Sequence, residues 1–591
     1  MKILSFSPYY FHWKISYPRS VILESLEKSG HEIEEIRCKN AFDKYCYVMM
    51  SHVPHRNSSS FTDKEKINIC NQCKHKSNLL EHEFNIKGLD IEKLSNEQEH
   101  KLKFEIDKIN RKNYLNYSYK EINIGRFCMS EIILMTKKKS FDLNNKEWDD
   151  YIFNIRNSII IIDYLDILFH EKKYDLLIIN NGFYSVMKSA LEMAKKFEIK
   201  TLDINQGRNF DKVLNSFLFS PDNDISAYQD ILNNWHDLKN FPLTEKQMLS
   251  TTDHYNNLIS ESSNYTFIKS KKTKEDLDLR ALFNIKKDKK IILICTSSED
   301  EVNSYKCFNK SVSEEKLLFQ TQMDWIKNIL EFAKKKQHIH FVIRVHPREY
   351  SNYSHTFVSE AFNEISEILE NKTENVSINS PDQKLSIFDI IEEVDLVLNS
   401  WSSVGKDLSL LGLPVISYGV RNLLYPSNIN IPLQSNKIED YFKLVEESLN
   451  LGWDYKRIVE VYRWSYLEFD YATLNINDSV KLKNNEKKKK KMFLKIFDYI
   501  RYLLNTDYHS TKHLVNRPAI LNEREILNRL LFDNIFNIKD PKNYYTGNTK
   551  DELQSIKNEM RKIFSNLYKD KKRLSKKNTL RCKLEEFIKI N

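Results

Sequence analysis

Across 591 residues, short apolar runs that end in a polar loop and lead into a helical segment recur with a regularity that a parallel α/β fold explains. The clearest series lies between residues 290 and 420. Apolar runs at 290–295, 339–345, 395–398 and 414–417, with a weaker one at 375–379, alternate with helical patterns at 315–335, 357–370, 385–393 and 403–411. On the first of these helices Leu318, Met323, Ile326, Leu330 and Ala333 follow roughly helical spacing, which fits packing on a sheet. An earlier series has strands at 2–6, 32–36, 174–179 and 201–204, and helices near 18–28, 147–170 and 185–197. Two such series exceed one ordinary core, so two doubly wound domains are expected. Residues 38–145 interrupt the first series and read as an insertion.

The boundaries follow from these breaks. Residues 1–260 form the first domain, including the 38–145 insertion, 261–480 form the second, and 481–591 form a basic helical extension. The polar stretch 208–285, with helical pieces near 225–237 and 244–260, is the connection, and helices near 438–451 and 454–468 close the second domain. Hydrophobic residues at 41% and charged residues at 29% describe a globular chain. The net charge of +9 is concentrated after residue 480, where Lys487 to Lys491 run uninterrupted, and no basic module interleaved with aromatics points to nucleic acid. The most apolar window, 159–169, is broken by Asp163 and Asp166 and falls short of the roughly 20 residues of a membrane span. The amino terminus lacks a signal peptide's apolar core, so a cytoplasmic protein is expected. The lysine run followed by apolar residues 492–504 suits either a helix docked on the protein or a segment, 487–504, lying on an anionic membrane surface.

Eight cysteines do not make a disulfide framework at this length. Four of them, Cys38, Cys46, Cys70 and Cys73, fall within 36 residues, and the Cys70–Cys73 pair has the spacing of a zinc knuckle. A structural zinc site and a group of reduced thiols in a small core both fit this pattern.

The strand-end loops carry the candidate chemistry, because in parallel sheets ligands bind at the carboxyl edge. Arg344, His346 and Arg348 supply donors for an anion. Ser402, Ser403 and Gly405 stand at an expected helix start suited to phosphate, and the 296–300 loop with Ser297 completes the rim. Asp407, one turn into that helix, is placed to accept from a ribose or sugar hydroxyl. On the first domain three loops, 7–14, 180–184 and 205–211, present Asn181, Gly182, Gln206 and Gly207. The 7–14 loop has no glycine and is no dinucleotide fingerprint. A reaction between two substrates also needs a general base on that side, for which His12 and Asp203 are candidates, with Asp211 behind them. His12 equally suits an aromatic cluster with Tyr10, Phe11 and Trp13.

Arg344-Val-His-Pro-Arg348, and Asp395-Leu-Val-Leu-Asn-Ser-Trp-Ser-Ser-Val-Gly-Lys-Asp407 followed by Leu-Gly-Leu-Pro-Val-Ile416, resemble motifs of the capsule polysaccharide biosynthesis glycosyltransferases. Asn181-Gly182 and Gly207 add a weaker likeness. Asp407 stands where that family usually has Glu, and Asn205-Gln206 stand where an acid often precedes the glycine. The resemblance implies a GT-B-like fold, two Rossmann-type domains facing across a cleft. A nucleotide-sugar donor would sit on the second domain and a polysaccharide or glycolipid acceptor on the first, with no cofactor or catalytic metal required. The triplets Asp222-Asn-Asp224 and Asp276-Leu-Asp278 do not end apolar strands and are given no metal role. Three other readings share the cleft: a polymerase transferring glycerol or ribitol phosphate from a CDP carrier, a sugar-nucleotide epimerase with carboxylates near the anomeric centre, and a non-catalytic protein of the same fold.

Overall fold

The computed structural model of the chain describes residues 1–51, 58–92, 94–212, 216–220, 224–261, 277–308, 318–351, 356–419, 423–476, 547–569, 571–572 and 576–589. The first domain begins with β1 (Lys2–Phe6), α1 (Trp13–Lys28) and β2 (Glu32–Arg37), followed by α2 (Tyr47–Met50), α3 (Asp63–Phe84) and β3 (Lys87–Asp90). Then come α4 (Asn96–Asp107), α5 (Ile124–Thr136), α6 (Asn145–Glu171), β4 (Leu176–Ile179), α7 (Ser185–Lys196), β5 (Lys200–Gln206) and β6 (Ser216–Ser220). The connection contains α8 (Asp224–Leu238), α9 (Glu245–Ile259) and α10 (Leu279–Phe283).

The second domain runs through β7 (Lys290–Cys295), α11 (Glu299–Phe308), α12 (Gln322–Lys335), β8 (Ile339–Arg344), α13 (Glu360–Leu369) and β9 (Val376–Asn379). It continues with β10 (Leu396–Asn399), α14 (Val404–Ser409), β11 (Val415–Ser417), α15 (Ile438–Ser448) and α16 (Tyr455–Tyr466). The chain then forms β12 (Thr473–Asn475), and later α17 (Thr549–Leu567) and α18 (Leu580–Lys589).

The first sheet has the order β12-β6-β5-β4-β1-β2-β3, with β6 antiparallel to both its neighbours and the other pairs parallel. The second, β11-β10-β7-β8-β9, is parallel throughout. Each order reverses once, between β1 and β4 and between β7 and β10, and such switch points open a ligand crevice at the carboxyl edge. The chain is therefore mixed α/β with two doubly wound, Rossmann-type domains in a GT-B-like plan, carrying a helical extension.

Local chemistry explains the elements. Thr62 and Asn144 open α3 and α6 through capping boxes with Glu65 and Glu147, each placed three residues on. Parallel strands buried on both faces read as unbroken apolar runs, as in Ile291–Ile294 and Leu396–Leu398.

Several expectations need correction. The 38–145 stretch is only partly an insertion. Its residues 87–90 form β3, which extends the sheet beside β2 because α3 makes an ordinary crossover. The connection contains β6, and after α16 the chain returns to the first sheet as β12, so the second domain ends before residue 473 rather than at 480. Residues 299–308, read as loop continuing into unassigned chain, are helical as α11, and 385–393 hold only a short 3-10 turn at Ile387–Asp389.

The described part of the extension packs on the body. Ile556, Met560, Ile563 and Leu567 of α17 are buried at helical spacing, each worth about 1.5–3 kcal/mol. Glu552 accepts from the Leu243 amide at 2.8 Å and pairs with Arg463. Residues 487–504, Asp222 and Asp276 lie outside the described residues. Among the described residues no helix is long and apolar enough to cross a membrane.

Candidate functional site between the two sheets

The two domains meet through α5, which packs along α11. Ser130 and Ser304 hydroxyls lie 2.6 Å apart, Lys137 donates to the Arg348 carbonyl, and Lys139 reaches Glu299 at 3.1 Å and also Glu364. Phe183, on the loop after β4, meets Tyr305 edge-on with ring centroids 6.4 Å apart. Loops from both switch points thus converge on one seam.

On the second domain the carboxyl edge at the switch point carries Thr296, Ser297 and Ser298 after β7 and Ser400 and Ser402 after β10, all buried but Ser402. The Ser297 amide donates to Gln322 Oε1 at 2.7 Å, and Gln322 returns a bond to the Ser297 carbonyl at 3.1 Å, which fixes that turn. His346 is tied to the same turn: its amide donates to Thr296 Oγ1 at 2.9 Å, and its Nδ1 lies 3.1 Å from Ser298 Oγ. Nδ1 also accepts the Arg348 amide at 3.2 Å, so the neutral ring carries its proton on Nε2. Burial, then the charges of Arg348, Lys137 and Arg344, push the imidazole down to about 3, so it stays neutral through the physiological range.

The other expected donor-side groups have protein partners. Arg344 turns along the sheet edge to Asn379 and to the Leu385 carbonyl at 3.1 Å. Arg348 pairs with Asp300 at 2.6 Å and with Glu301. Helix α14 has only six residues, so it brings less dipole than a longer helix start would. Ser402 Oγ accepts the Val404 amide at 3.4 Å as a local cap, and Ser403 is exposed. A Cβ on Gly405 would lie 2.3 Å from Tyr425 Oη and 2.7 Å from Asn399 Nδ2, so this glycine makes room for a buried network rather than for a ligand. Asp407 is buried and accepts from Tyr255 Oη at 3.2 Å.

On the first domain, Asp203 is buried under the loop after β4. Its two oxygens accept the Asn181 and Gly182 amides, each at 2.7 Å, and Asn181 sits at φ 62°. Asp203 therefore shapes the turn, a task at odds with that of a base facing an acceptor. Gly207 donates its amide to the Ser216 carbonyl at 2.8 Å, and a Cβ there would come within 2.7 Å of Ser216 Oγ. Gln206 ends β5, half-buried, and Asp211 accepts from Asn257 at 2.8 Å. His12 belongs to an aromatic cluster: its ring stands 5.9 Å from Tyr47, and Tyr47 lies tilted against Tyr184 with centroids 4.0 Å apart and 5.7 Å from Tyr9.

Sequence reasoning missed the buried acids. Glu131 on α5 accepts from Ser185 N at 2.9 Å and from Ser185 Oγ at 2.8 Å, and burial raises its carboxyl. Asp300 and Glu349, 2% and 1% exposed, crowd Arg348, and burial followed by their mutual repulsion pushes Glu349 up to about 7. Glu349 directly follows the Arg-Val-His-Pro-Arg run and was legible by position. Glu131 lies in the stretch read as insertion and gave no signal. The four cysteines do converge on one cavity, with Cys73 Sγ 3.6 Å from the Pro8 carbonyl. Among the described residues no group of three or more His, Cys, Asp or Glu stands ready to hold a metal ion.

No family model and no curated protein matches the chain. Solved structures with a related layout include a UDP-GlcNAc 2-epimerase from Methanocaldococcus jannaschii in complex with UDP-GlcNAc and UDP. It is 13% identical, with 78% of this chain and 98% of that one covered and a TM-score of 0.26. A putative UDP-N-acetylglucosamine 2-epimerase from Listeria monocytogenes is 9% identical, covering 78% and 90%, at a TM-score of 0.24. The beta Kdo 2,4 transferase KpsC of Thermosulfurimonas dismutans is 14% identical, covering 41% and 68%, at 0.25. Scores this low transfer nothing to this chain, so its fold class stands on its own sheet orders.

Proposed function

We propose that the chain is an enzyme acting on a nucleotide-activated sugar, and that it transfers the sugar to a surface polysaccharide or glycolipid acceptor. The observation that carries this reading is the second domain's switch-point edge, where Thr296, Ser297, Ser298 and Ser402 follow neighbouring strands and the neutral His346 ring is tied to the same turn. Hydroxyls, amides and an imidazole N–H favour a diphosphate through hydrogen bonds, and they favour it more as charge develops on the leaving group. The first domain's aromatic cluster of Tyr9, His12, Tyr47 and Tyr184 supplies flat apolar faces suited to sugar rings, with His12 the base candidate that remains once Asp203 is assigned to its turn. No step of this scheme calls for a metal ion.

A second reading is favoured by one feature. Glu349, Asp300 and Glu131 place buried carboxyls on both sides of the seam, and Glu349 is held near neutrality in its titration. An epimerase that removes and returns a proton on the sugar needs such groups. Incubation with CMP-, UDP-, GDP- and CDP-linked donors in deuterated buffer separates the two. Transfer or slow hydrolysis without deuterium in the recovered donor supports the transferase. Deuterium incorporated at a ring carbon supports the epimerase. Turnover of CDP-glycerol alone would replace both by the polymerase, and inertness toward every donor would remove the enzymatic reading.

A further inference from the structure

The first domain carries an open groove of about 1100 Å³ between α4 and α6, bordered by the end of β3. Among its lining residues Ile91, Leu102, Ile159 and Ile160 are buried. Phe104 on α4 and Ile167 on α6 line it at 65% and 56% exposure, so each wall presents a large apolar side chain to water. The rim is acidic. Asp90, Glu92, Glu105, Asp163 and Glu171 all line the groove, and Asp90, Glu92 and Glu171 are exposed. The lining lysines Lys101 and Lys172 are paired with Glu97 at 2.6 Å and Glu34 at 3.2 Å. An open groove with an apolar anchor on each wall and carboxylates around it fits an amphipathic helix with cationic flanks. The same carboxylates disfavour an anionic membrane surface.

One stretch of this chain has that chemistry. Residues 487–504 carry seven basic side chains against the single acid Asp498. Phe493, Ile496, Phe497, Ile500 and Leu504 recur at the spacing of one helical stripe, with Lys495 and Asp498 on the opposite side. The lengths agree. The groove is lined along α6 from Ile159 to Glu171, a rise of about 20 Å, and residues 492–504 give the same rise as a helix. The chain also reaches. β12, which ends at Asn475, and β3 are the two edges of the first sheet, about 30 Å apart at the usual strand spacing. The 15 residues 477–491 span up to about 50 Å when extended, and the 42 residues 505–546 have ample length to return to α17.

We propose that residues 492–504 dock as a helix in the α4–α6 groove of their own chain. Their apolar stripe covers Phe104 and Ile167, and the lysines 487–491 lie against the acidic rim. Docking removes both apolar faces from water at once, and it withdraws the basic segment from membrane surfaces.

The test uses the full chain with Phe104 replaced by the photocrosslinker benzoylphenylalanine, followed by mass-spectrometric mapping. Crosslinks within one chain to residues 492–504 are expected. Hydrogen exchange gives a second readout, in which Phe104→Lys with Ile167→Lys, both at exposed positions, removes the anchors and repels the lysines. Amides of 492–504 should exchange at least about tenfold faster in this variant than in the parent. Crosslinks to any other segment, crosslinks that join two chains, exchange unchanged by the double substitution, or loss of the crosslink on phosphatidylserine vesicles that capture the parent chain would each overturn the proposal.

Discussion

Tyr255 Oη lies 3.2 Å from Asp407 Oδ1 and donates to it, joining α9 of the connection to α14 of the second domain in a fully buried contact. Beside it the buried Lys406 and Glu468 side chains form an ion pair. The loop after β10 is thus braced from behind by the segment linking the domains.

Burial, opposed by Lys406 and Tyr255, raises the Asp407 carboxyl from 3.8 to about 6. The protonated form is therefore the one the fold favours. The associated stability is complete below pH 3.8 and is lost as pH rises through about 6, a cost of about 3 kcal/mol above that point. Asp407→Asn keeps an acceptor for Tyr255 and removes the charge. Urea unfolding should show the variant gaining up to about 3 kcal/mol over the parent at pH 7.5 and nothing at pH 4. A gain independent of pH would contradict the assignment.

Asp203 holds the Asn181–Gly182 turn with both oxygens. In Asp203→Asn the amide group faces one of those N–H donors, and the loss should be about 1–3 kcal/mol. Thermal denaturation measures it. If the pH profile of any turnover kept its shape in the variant, Asp203 would be confirmed as a positioning residue.

Arg348 and Asp300 make a largely buried ion pair, and removing one partner strands the other. Arg348→Ala should cost about 3–5 kcal/mol, and Arg348→Ala with Asp300→Asn should recover part of it. A double-mutant cycle reads the coupling, and strict additivity would show that the pair is not the reason Arg348 is held there.

Much of the fold was legible because parallel strands buried on both faces, such as β7 and β10, leave apolar runs that nothing else explains. The edge strands were not. β3 is Lys-Gly-Leu-Asp, half exposed, and β12 is only Thr-Leu-Asn, so both depend on neighbours rather than on composition. The site was legible as a place and less so as a set of contacts. Spacing put Asp407 on a helix start and Arg344 at a strand end, but the residues that decide where they point, Tyr255, Asn379 and Leu385, lie 35 or more positions away in sequence. Asp203 was ambiguous for the same reason: whether a strand residue faces a loop or a cleft depends on the loop's own turn.

The central claim is the proposal that a nucleotide-activated sugar binds at the switch-point edge beside Ser298 and His346. Calorimetric titration of the full chain with UDP-, CMP-, GDP- and CDP-linked donors tests it most directly, with His346→Ala as the paired variant. Because the ring is neutral with its pKa near 3, at least one donor should bind with an affinity that shows no imidazole titration between pH 5.5 and 8. The variant should bind it about tenfold more weakly, the loss of one hydrogen bond to a charged group. Binding of no donor, or equal binding by parent and variant, would contradict the account.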